Sequence, residues 1–432
     1  MSYRLAIDIG ASSGRHILVH EEDGHVVLEE LYRFTTPLFE KDGHFFWDVE
    51  ALFREVVAGL KAAAQKGRIP ERIGIDTFGV DYALLDGDDR LLSPIVSYRD
   101  ERTLVAKKEF LTPETVFKET GIQPQSFDSV YQLYCDKKSG LLAKAKTLMF
   151  LPSYLAYRLS GVKQNERSIL STSALYDGGR NAYSSLILSS LGLKEEFFPP
   201  ILEAGSKIGP LRGDVAKEIG YQADVYAALE HDTASAFYGS NAKANDVLIS
   251  SGTWSLIGCV LKTPIVSQAV YESGFTNELS HQGEVRFLKN VTGMWMVNRL
   301  LKECPQYHGV IEAVEQARYS TYSGVFDATD PSLLNPKDMK ASLLALLKKS
   351  QAPAPKNDED IFYSVFHSLA VCYANAVKEM ERLTGRQFTA ILIFGGGSKN
   401  ELLNELTSKE TRLPVYRGPV EATALGNIRS IS

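Results

Sequence analysis

The chain has 432 residues, 44% of them hydrophobic and 23% charged, with a net charge of −6. That length exceeds one ordinary core and implies two or three domains, while the acidic balance, with no dense Lys/Arg cluster among aromatics, argues against a nucleic-acid surface. No apolar run approaches the roughly 20 residues that span a bilayer, and no basic-then-apolar leader precedes the first strand. Cys135, Cys259, Cys304 and Cys372 lie too far apart in sequence for a CxxC or a metal-ligand spacing. The expectation is therefore a soluble, cytoplasmic protein with reduced thiols and no membrane partner.

The first element is Leu5-Ala6-Ile7-Asp8-Ile9, followed by Gly10-Ala11-Ser12-Ser13-Gly14-Arg15 and a second apolar run from His16 to His20. This reads as a strand, a tight turn and a returning strand. Gly10 and Gly14 allow the backbone N–H groups to approach an anion, and Ser12 and Ser13 add hydroxyl donors. Asp8 ends a buried strand, where a carboxylate needs a cation or hydrogen bonds to offset its desolvation. A phosphate cradle and a serine-rich hairpin both fit this stretch alone. Residues 26–34 return as a third strand after Glu22-Asp23-Gly24, so the start is antiparallel, unlike a dinucleotide-binding βαβ unit. Residues 43–48 read as a loop, 49–66 as a helix with Leu52, Phe53, Val56, Val57 and Leu60 on one face, and Ile73-Gly74-Ile75-Asp76 as another strand ending in an acid.

From 93 to 206 the signals are helical and loop-like. Tyr98-Arg99-Asp100 with Arg102 reads as a surface ion-pair cluster, Lys137-Lys138 with Lys144 and Lys146 as a solvated helix face, and 171–177 as a small-polar segment without a clear pattern. Leu151-Pro152 starts a helix. A strand over 223–229 gives way to His231-Asp232-Thr233, where Asp232 or Thr233 can cap the following helix or serve a site. Residues 239–246 are small and polar, as in a linker.

Beyond that linker, Val247-Leu248-Ile249-Ser250-Ser251-Gly252-Thr253-Trp254-Ser255 repeats the opening pattern of strand, Ser/Gly/Thr turn and returning strand. Two such hairpins, each opening a half of the chain, imply a duplicated architecture around a cleft. Residues 285–288 read as a strand, 290–293 as a turn, 294–303 as a helix carrying Asn298, and 361–383 as a long core helix. The buried strand 390–394 runs into Gly395-Gly396-Gly397-Ser398, which lets a flat ligand approach the backbone, and 421–427 follows a last short strand.

In order along the chain, residues 8–15, 47–49, 74–81, 98–100, 231–235, 250–255, 290–295, 395–398 and 421–427 resemble the FGGY carbohydrate kinases, whose fold is shared with hexokinase, Hsp70 and actin. The resemblance implies an α/β protein with two ribonuclease-H-like domains around a central cleft: residues 1–240 for sugar and 246–432 for nucleotide. It implies ATP-dependent phosphorylation of a ketose, L-rhamnulose foremost, with ATP and Mg²⁺ as partners and a monomer or homodimer both open. By the same resemblance Asp232 is the general base. Gly79, His231, Asp232, Thr233 and Asn290 meet sugar; Ala11, Ser12, Ser13, Gly14, Arg15, Thr253, Asn298 and Gly397 meet ATP; Asp8 orients the metal-bound phosphate. Phe78 and Asn298 depart from the Trp and Gln common in the family. The chain also stops at Ser432, where relatives continue into further helix, so the expectation is either a truncated chain or a stripped-down second domain.

The chemistry fits those residue types. Phosphoryl transfer needs in-line positioning and charge neutralisation, which the two turns, the hydroxyls of Ser12, Ser13 and Thr253, and a metal ion can supply. A sugar hydroxyl is a weak nucleophile and needs an acceptor for its proton, the part given to Asp232. Trp47, Asp48, Asp76, Thr77 and Asp81 are further candidates for a polyol pocket. A family kinase for fuculose, xylulose or another polyol is the alternative, as is a non-catalytic ATP-gated binder of the actin/Hsp70 type.

Overall fold

The computed structural model describes residues 2–334 and 336–432. The N-terminal lobe opens with β1 (Tyr3–Ile9), β2 (Ser13–Glu22) and β3 (His25–Thr35), an antiparallel meander. The segment expected to be a loop forms a small hairpin, β4 (Leu38–Lys41) and β5 (His44–Trp47), because Phe39 and Phe46 stack across it at 5.4 Å. Helix α1 (Val49–Gln65) follows, its N-terminus capped by Asp48, which accepts from Ala51 N at 2.9 Å. Its face of Leu52, Val56, Val57 and Leu60 is buried against the sheet.

The chain returns as β6 (Pro70–Thr77), parallel to β1 with Asp8 opposite Asp76. Helices α2 (Leu151–Ser160) and α3 (Arg167–Ser171) and strands β7 (Lys207–Pro210) and β8 (Asp224–Tyr226) complete the lobe, which ends in α4 (Asp232–Gly239). The predicted strand over 223–229 is shorter because its end leaves the sheet to form the approach to α4.

After residues 240–245 the C-terminal lobe begins with the second hairpin, β9 (Asp246–Ser251) and β10 (Trp254–Leu261). Strands β11 (Thr276–Leu279) and β12 (Val285–Thr292), helices α5 (Trp295–Glu303) and α6 (Asp358–Thr384), β13 (Ala390–Phe394), α7 (Glu401–Thr411), β14 (Val415–Arg417) and α8 (Ala422–Ser430) follow. The turn expected over 290–293 is instead the end of β12, which keeps pairing with β10 through Trp254 opposite Thr292.

The two six-stranded sheets run β7-β8-β6-β1-β2-β3 and β11-β12-β10-β9-β13-β14. Reversing the second aligns five strands of each: an antiparallel meander joined to two parallel strands. This is the duplication that the paired hairpins foretold, two ribonuclease-H-like units in one α/β chain. Each hairpin turn sits where the central strand of its lobe ends.

The last helix ties the lobes together. α8 packs on α4, and a Cβ on Gly426 would stand 1.7 Å from Ser235 O, one on Gly239 1.9 Å from Ala422 O. Only glycines permit that backbone contact. Ala424, Ile428 and Ile431 then pack with Ala6, Ile17 and Val19 of the first sheet and with Ala228 beyond the end of β8. Among the described residues no helix is long and apolar enough to cross a membrane, and all four cysteines are free thiols.

Candidate active site

Three carboxylates converge at the ends of the central strands of the first sheet. Asp8 closes β1 and Asp76 lies beside it on β6. Asp232 is brought in by a parallel bridge between Thr77 and His231, with Thr77 N donating to Glu230 O at 2.9 Å. Asp232 is the first residue of α4 and His231 the N-cap, so neither Asp232 nor Thr233 is spent on capping. Thr233 Oγ1 instead donates to Asp232 Oδ1 at 3.0 Å.

Burial raises the pKa of each acid, and repulsion from Asp8 adds to it for Asp76 and Asp232, as repulsion from Glu421 does for Asp8. Asp232 is pushed up to about 7, by burial first and by Asp8 next. Asp76, fully buried, is held well above the ordinary carboxylate range by burial and by Asp8. Asp8 is raised by burial despite Arg15, whose Nη2 lies 2.7 Å from Asp8 Oδ2. Arg15 also binds Glu421 at 2.6 Å through Nη1, linking the first hairpin to the N-cap of α8.

The first turn is held from three sides. Gly10 N donates to Ser13 O at 3.0 Å, and Thr36 Oγ1 donates to Gly10 O at 2.6 Å. Arg99 Nη2 donates to Ala11 O at 3.0 Å. Ser12 and Ser13 remain exposed and available. Gly14 also serves packing: a Cβ there would stand 2.1 Å from the Phe34 ring. The group around Arg99 is no surface cluster. Asp100 is buried and accepts from Phe45 N and Arg102 N at 2.9 Å each, while Arg102 pairs with buried Asp136 at 2.5 Å.

In the C-terminal lobe Thr253 is exposed at the second turn, with Gly252 N donating to Trp254 O at 2.9 Å. Met294 N and Trp295 N bond the carbonyls of Gly252 and Thr253 at 3.0 Å each, setting the start of α5 against the turn and leaving Asn298 exposed on that helix. Gly397 is pressed onto the same hairpin, where a Cβ would lie 2.1 Å from Ser251 Oγ. Asn290 is exposed on β12. The structure therefore gathers Thr253, Asn298 and Gly397 around one turn, and Asp8 with residues 11–15 around the other.

Gly79 begins a strained corner. Val80, a β-branched residue, has φ of 70°, held because its N–H donates to Thr172 Oγ1 at 3.0 Å and its carbonyl accepts from Ser129 Oγ at 2.5 Å. The unclassified small-polar segment thus ends α3 and props this corner. The same helix also anchors the segment leading into α4: Glu166 at its N-cap accepts from Glu230 N at 3.2 Å, and Ser168 Oγ accepts from His231 N at 3.3 Å.

The further polyol candidates are committed elsewhere. Trp47 is fully buried and donates to Asp81 Oδ2 at 2.6 Å; Asp81 also accepts from Tyr98 N at 2.9 Å and Gln132 Nε2 at 2.9 Å. Asp48 caps α1, Asp76 Oδ2 accepts from Asn427, and Thr77 Oγ1 donates to Phe78 O. Phe78 lies 4.7 Å from Trp47 and 5.5 Å from Tyr98, which in turn contacts Phe127 at 6.0 Å, so an aromatic wall adjoins the Gly79 corner. Residues the sequence reading passed over include Arg286 and Asn427; the charge set among apolar neighbours in Val285-Arg286-Phe287-Leu288 was the available signal.

A divalent cation suits this cleft. Asp76 Oδ1 is buried without a partner among the described residues, and the acids crowd one another. Among those residues no cluster of three or more acids, histidines and cysteines could hold a metal by itself.

Comparison with known proteins converges on one family. Residues 3–239 match the N-terminal domain, and residues 247–430 the C-terminal domain, of the FGGY family of carbohydrate kinases. A rhamnulokinase of Halalkalibacterium halodurans is 37% identical over 433 residues, covering 99% of this chain and 92% of that protein. A rhamnulokinase of Bacillus subtilis is 34% identical over 430 residues, covering 98% and 88%. Among solved structures, a ligand-bound xylulose kinase from Lactobacillus acidophilus has a TM-score of 0.84 at 16% identity, covering 100% of this chain and 89% of that one. A Plasmodium falciparum glycerol kinase with ADP has a TM-score of 0.82 at 14% identity, covering 100% and 89%. With both halves matched, the duplicated lobes and their facing turns belong to an enzyme that phosphorylates sugars with ATP: the chain is a member of the FGGY family of carbohydrate kinases.

Proposed function

We propose that this kinase phosphorylates L-rhamnulose at its 1-hydroxyl, with Asp232 as general base. The observation that carries the mechanism is Asp232 itself, half-buried beside Asp8 with its pKa raised to about 7. A base whose pKa lies near the working pH is substantially ionised and still basic enough to accept a proton readily. Rhamnulose as substrate is supported by the rhamnulokinases at 33–37% identity. The aromatic wall of Phe78, Tyr98 and Phe127 also suits a 6-deoxy sugar, whose methyl group needs an apolar contact.

Sugar lies between the Gly79 corner and the His231–Thr233 turn in this reading, with Asn290 reaching it from the second lobe. ATP lies across the two hairpins. The N–H groups and hydroxyls of residues 11–15 and Thr253 stabilise charge on the transferred phosphoryl group, with Asn298 and Gly397 beside the rest of the nucleotide. Asp8 would hold Mg²⁺ through its carboxylate, and the ion when bound neutralises phosphate charge. Arg15, between Asp8 and Glu421, is positioned to exchange a carboxylate for a phosphate oxygen. Asp232 takes the proton of the attacking hydroxyl. In this reading residues 1–240 serve the sugar and 246–432 the nucleotide, in a cytoplasmic enzyme.

A panel of ketoses with ADP release as the readout tests the proposal. L-rhamnulose is expected to give the highest kcat/KM. A higher value for fuculose, xylulose or another polyol would reject the substrate, and release that does not depend on any sugar would reject the kinase mechanism for this chain.

A further inference from the structure

Arg286 on β12 is fully buried, at 0% exposure, yet it belongs to the lobe opposite the proposed base. Its Nη2 lies 2.9 Å from His231 Nδ1 and 2.9 Å from Glu278 Oε2, and its Nε donates to Leu279 O at 3.3 Å. A guanidinium has donors only. His231 Nδ1 must then be the acceptor, and a neutral ring that accepts at Nδ1 carries its proton on Nε2. Nε2 stands 3.5 Å from Asp232 Oδ1. We propose that Arg286 is a positioning residue for phosphoryl transfer, fixing His231 in the Nε2–H tautomer so that a donor faces the Asp232 carboxylate and the sugar oxygen beside it.

The surroundings bear on both ring nitrogens. Glu278 Oε2 is 3.4 Å from Nδ1, farther than Arg286 but close enough to receive a proton donor. Without Arg286 the ring can turn its Nδ1–H to Glu278, which leaves Nε2 as an acceptor. It would then compete with Asp232 for the hydroxyl proton. With Arg286 present, burial and the guanidinium keep His231 far below its ordinary pKa, so the ring stays neutral. The charged groups facing this ring are Asp232, Glu278 and Arg286, with Asp8 next to Asp232. Arg286 Nη1 is buried without a partner among the described residues, leaving a second donor for a ligand or water.

This inference rests on Asp232 as the base, and its test separates the two. In the full-length native chain labelled with ¹⁵N-histidine, with His231→Asn used for assignment, His231 is expected as the neutral Nε2–H tautomer from pH 6 to 9. An Nδ1–H tautomer would overturn the proposal whatever the activity, and whether or not any Arg286 variant folds. In Arg286→Met the tautomer is expected to shift and kcat to fall roughly 10- to 100-fold, the size of effect seen when an orienting partner is lost. The sugar KM should change much less, and Arg286→Lys should recover part of kcat. An unchanged tautomer with kcat within about twofold would also overturn it. Full activity of Asp232→Asn beside an Nε2–H His231 would instead refute the base and leave the tautomer assignment standing.

Discussion

The side-chain amide of Asn427 donates to Asp76 Oδ2 at 2.5 Å, joining the last helix to a central strand 351 positions earlier in the chain. Asp76 is the most deeply buried of the three site acids, and burial and Asp8 both act against its charge. Asn427 is the one donor that opposes them through a hydrogen bond. Asn427→Leu leaves that carboxyl unpartnered, and an unsatisfied buried polar group costs about 1–3 kcal/mol. Denaturant unfolding should report a loss in that range with an unchanged slope. Native stability in the variant would mean that Asp76 is satisfied by other means.

Asp232 predicts two linked results. Asp232→Asn removes the proposed proton acceptor while keeping shape, so kcat should fall by about 10²–10⁴-fold with thermal unfolding close to native. In the native chain kcat/KM should rise with pH as Asp232 ionises, with an inflection near the value of about 7 to which burial and Asp8 push it. A flat profile from pH 5.5 to 8.5 would remove Asp232 from that role.

The pair Glu166 and Glu230 makes stability, as distinct from rate, depend on pH. Glu230 accepts from Ser153 and, at 2.8 Å, from Gln164 Nε2, yet burial and then Glu166 raise it to about 8. Glu166 is raised to about 7 by burial. A raised acid keeps its proton in the fold after the unfolded chain has lost it, so unfolding releases a proton and stability falls as pH rises. The contribution of Glu230 is present in full below about pH 4.5 and lost progressively up to about pH 8. Glu230→Gln mimics the protonated acid. Its melting temperature should match the native chain at pH 5 and exceed it at pH 8.5; a native-like loss across that range would refute the linkage.

The sequence carried the architecture because local patterns reported it. Two strand–turn–strand runs at corresponding places, with first strands ending at Ile9 and at Ser251, are short-range signals of a duplicated sheet. What it could not carry were contacts that depend on chain crossing. Asp100 and Arg102 read as surface charges until Phe45 N and the buried Asp136 engage them. Trp47 reads as a sugar platform until Asp81 takes its indole N–H. The continuation of β12 through Asn290 is set by pairing with β10, which outweighs a local Asn/Gly turn signal. The Arg286–His231 contact joins two lobes across 55 positions, and only packing could reveal it.

Trp254 offers a direct reading of the nucleotide side. It follows Thr253 at the second turn and is 45% exposed, whereas Trp47 is fully buried and Trp295 lies in the first turn of α5. Those are the three tryptophans of the chain. If phosphates bind the Gly252–Thr253 turn, the environment of the Trp254 indole changes on binding, while Trp47 stays locked to Asp81. Titration with ATP in the absence of sugar should therefore alter the emission saturably, and Trp254→Phe should abolish most of that change while leaving the fold intact. The same amplitude in Trp254→Phe would assign the signal to Trp295, and no change in the native chain at saturating ATP would argue that nucleotide does not engage this turn.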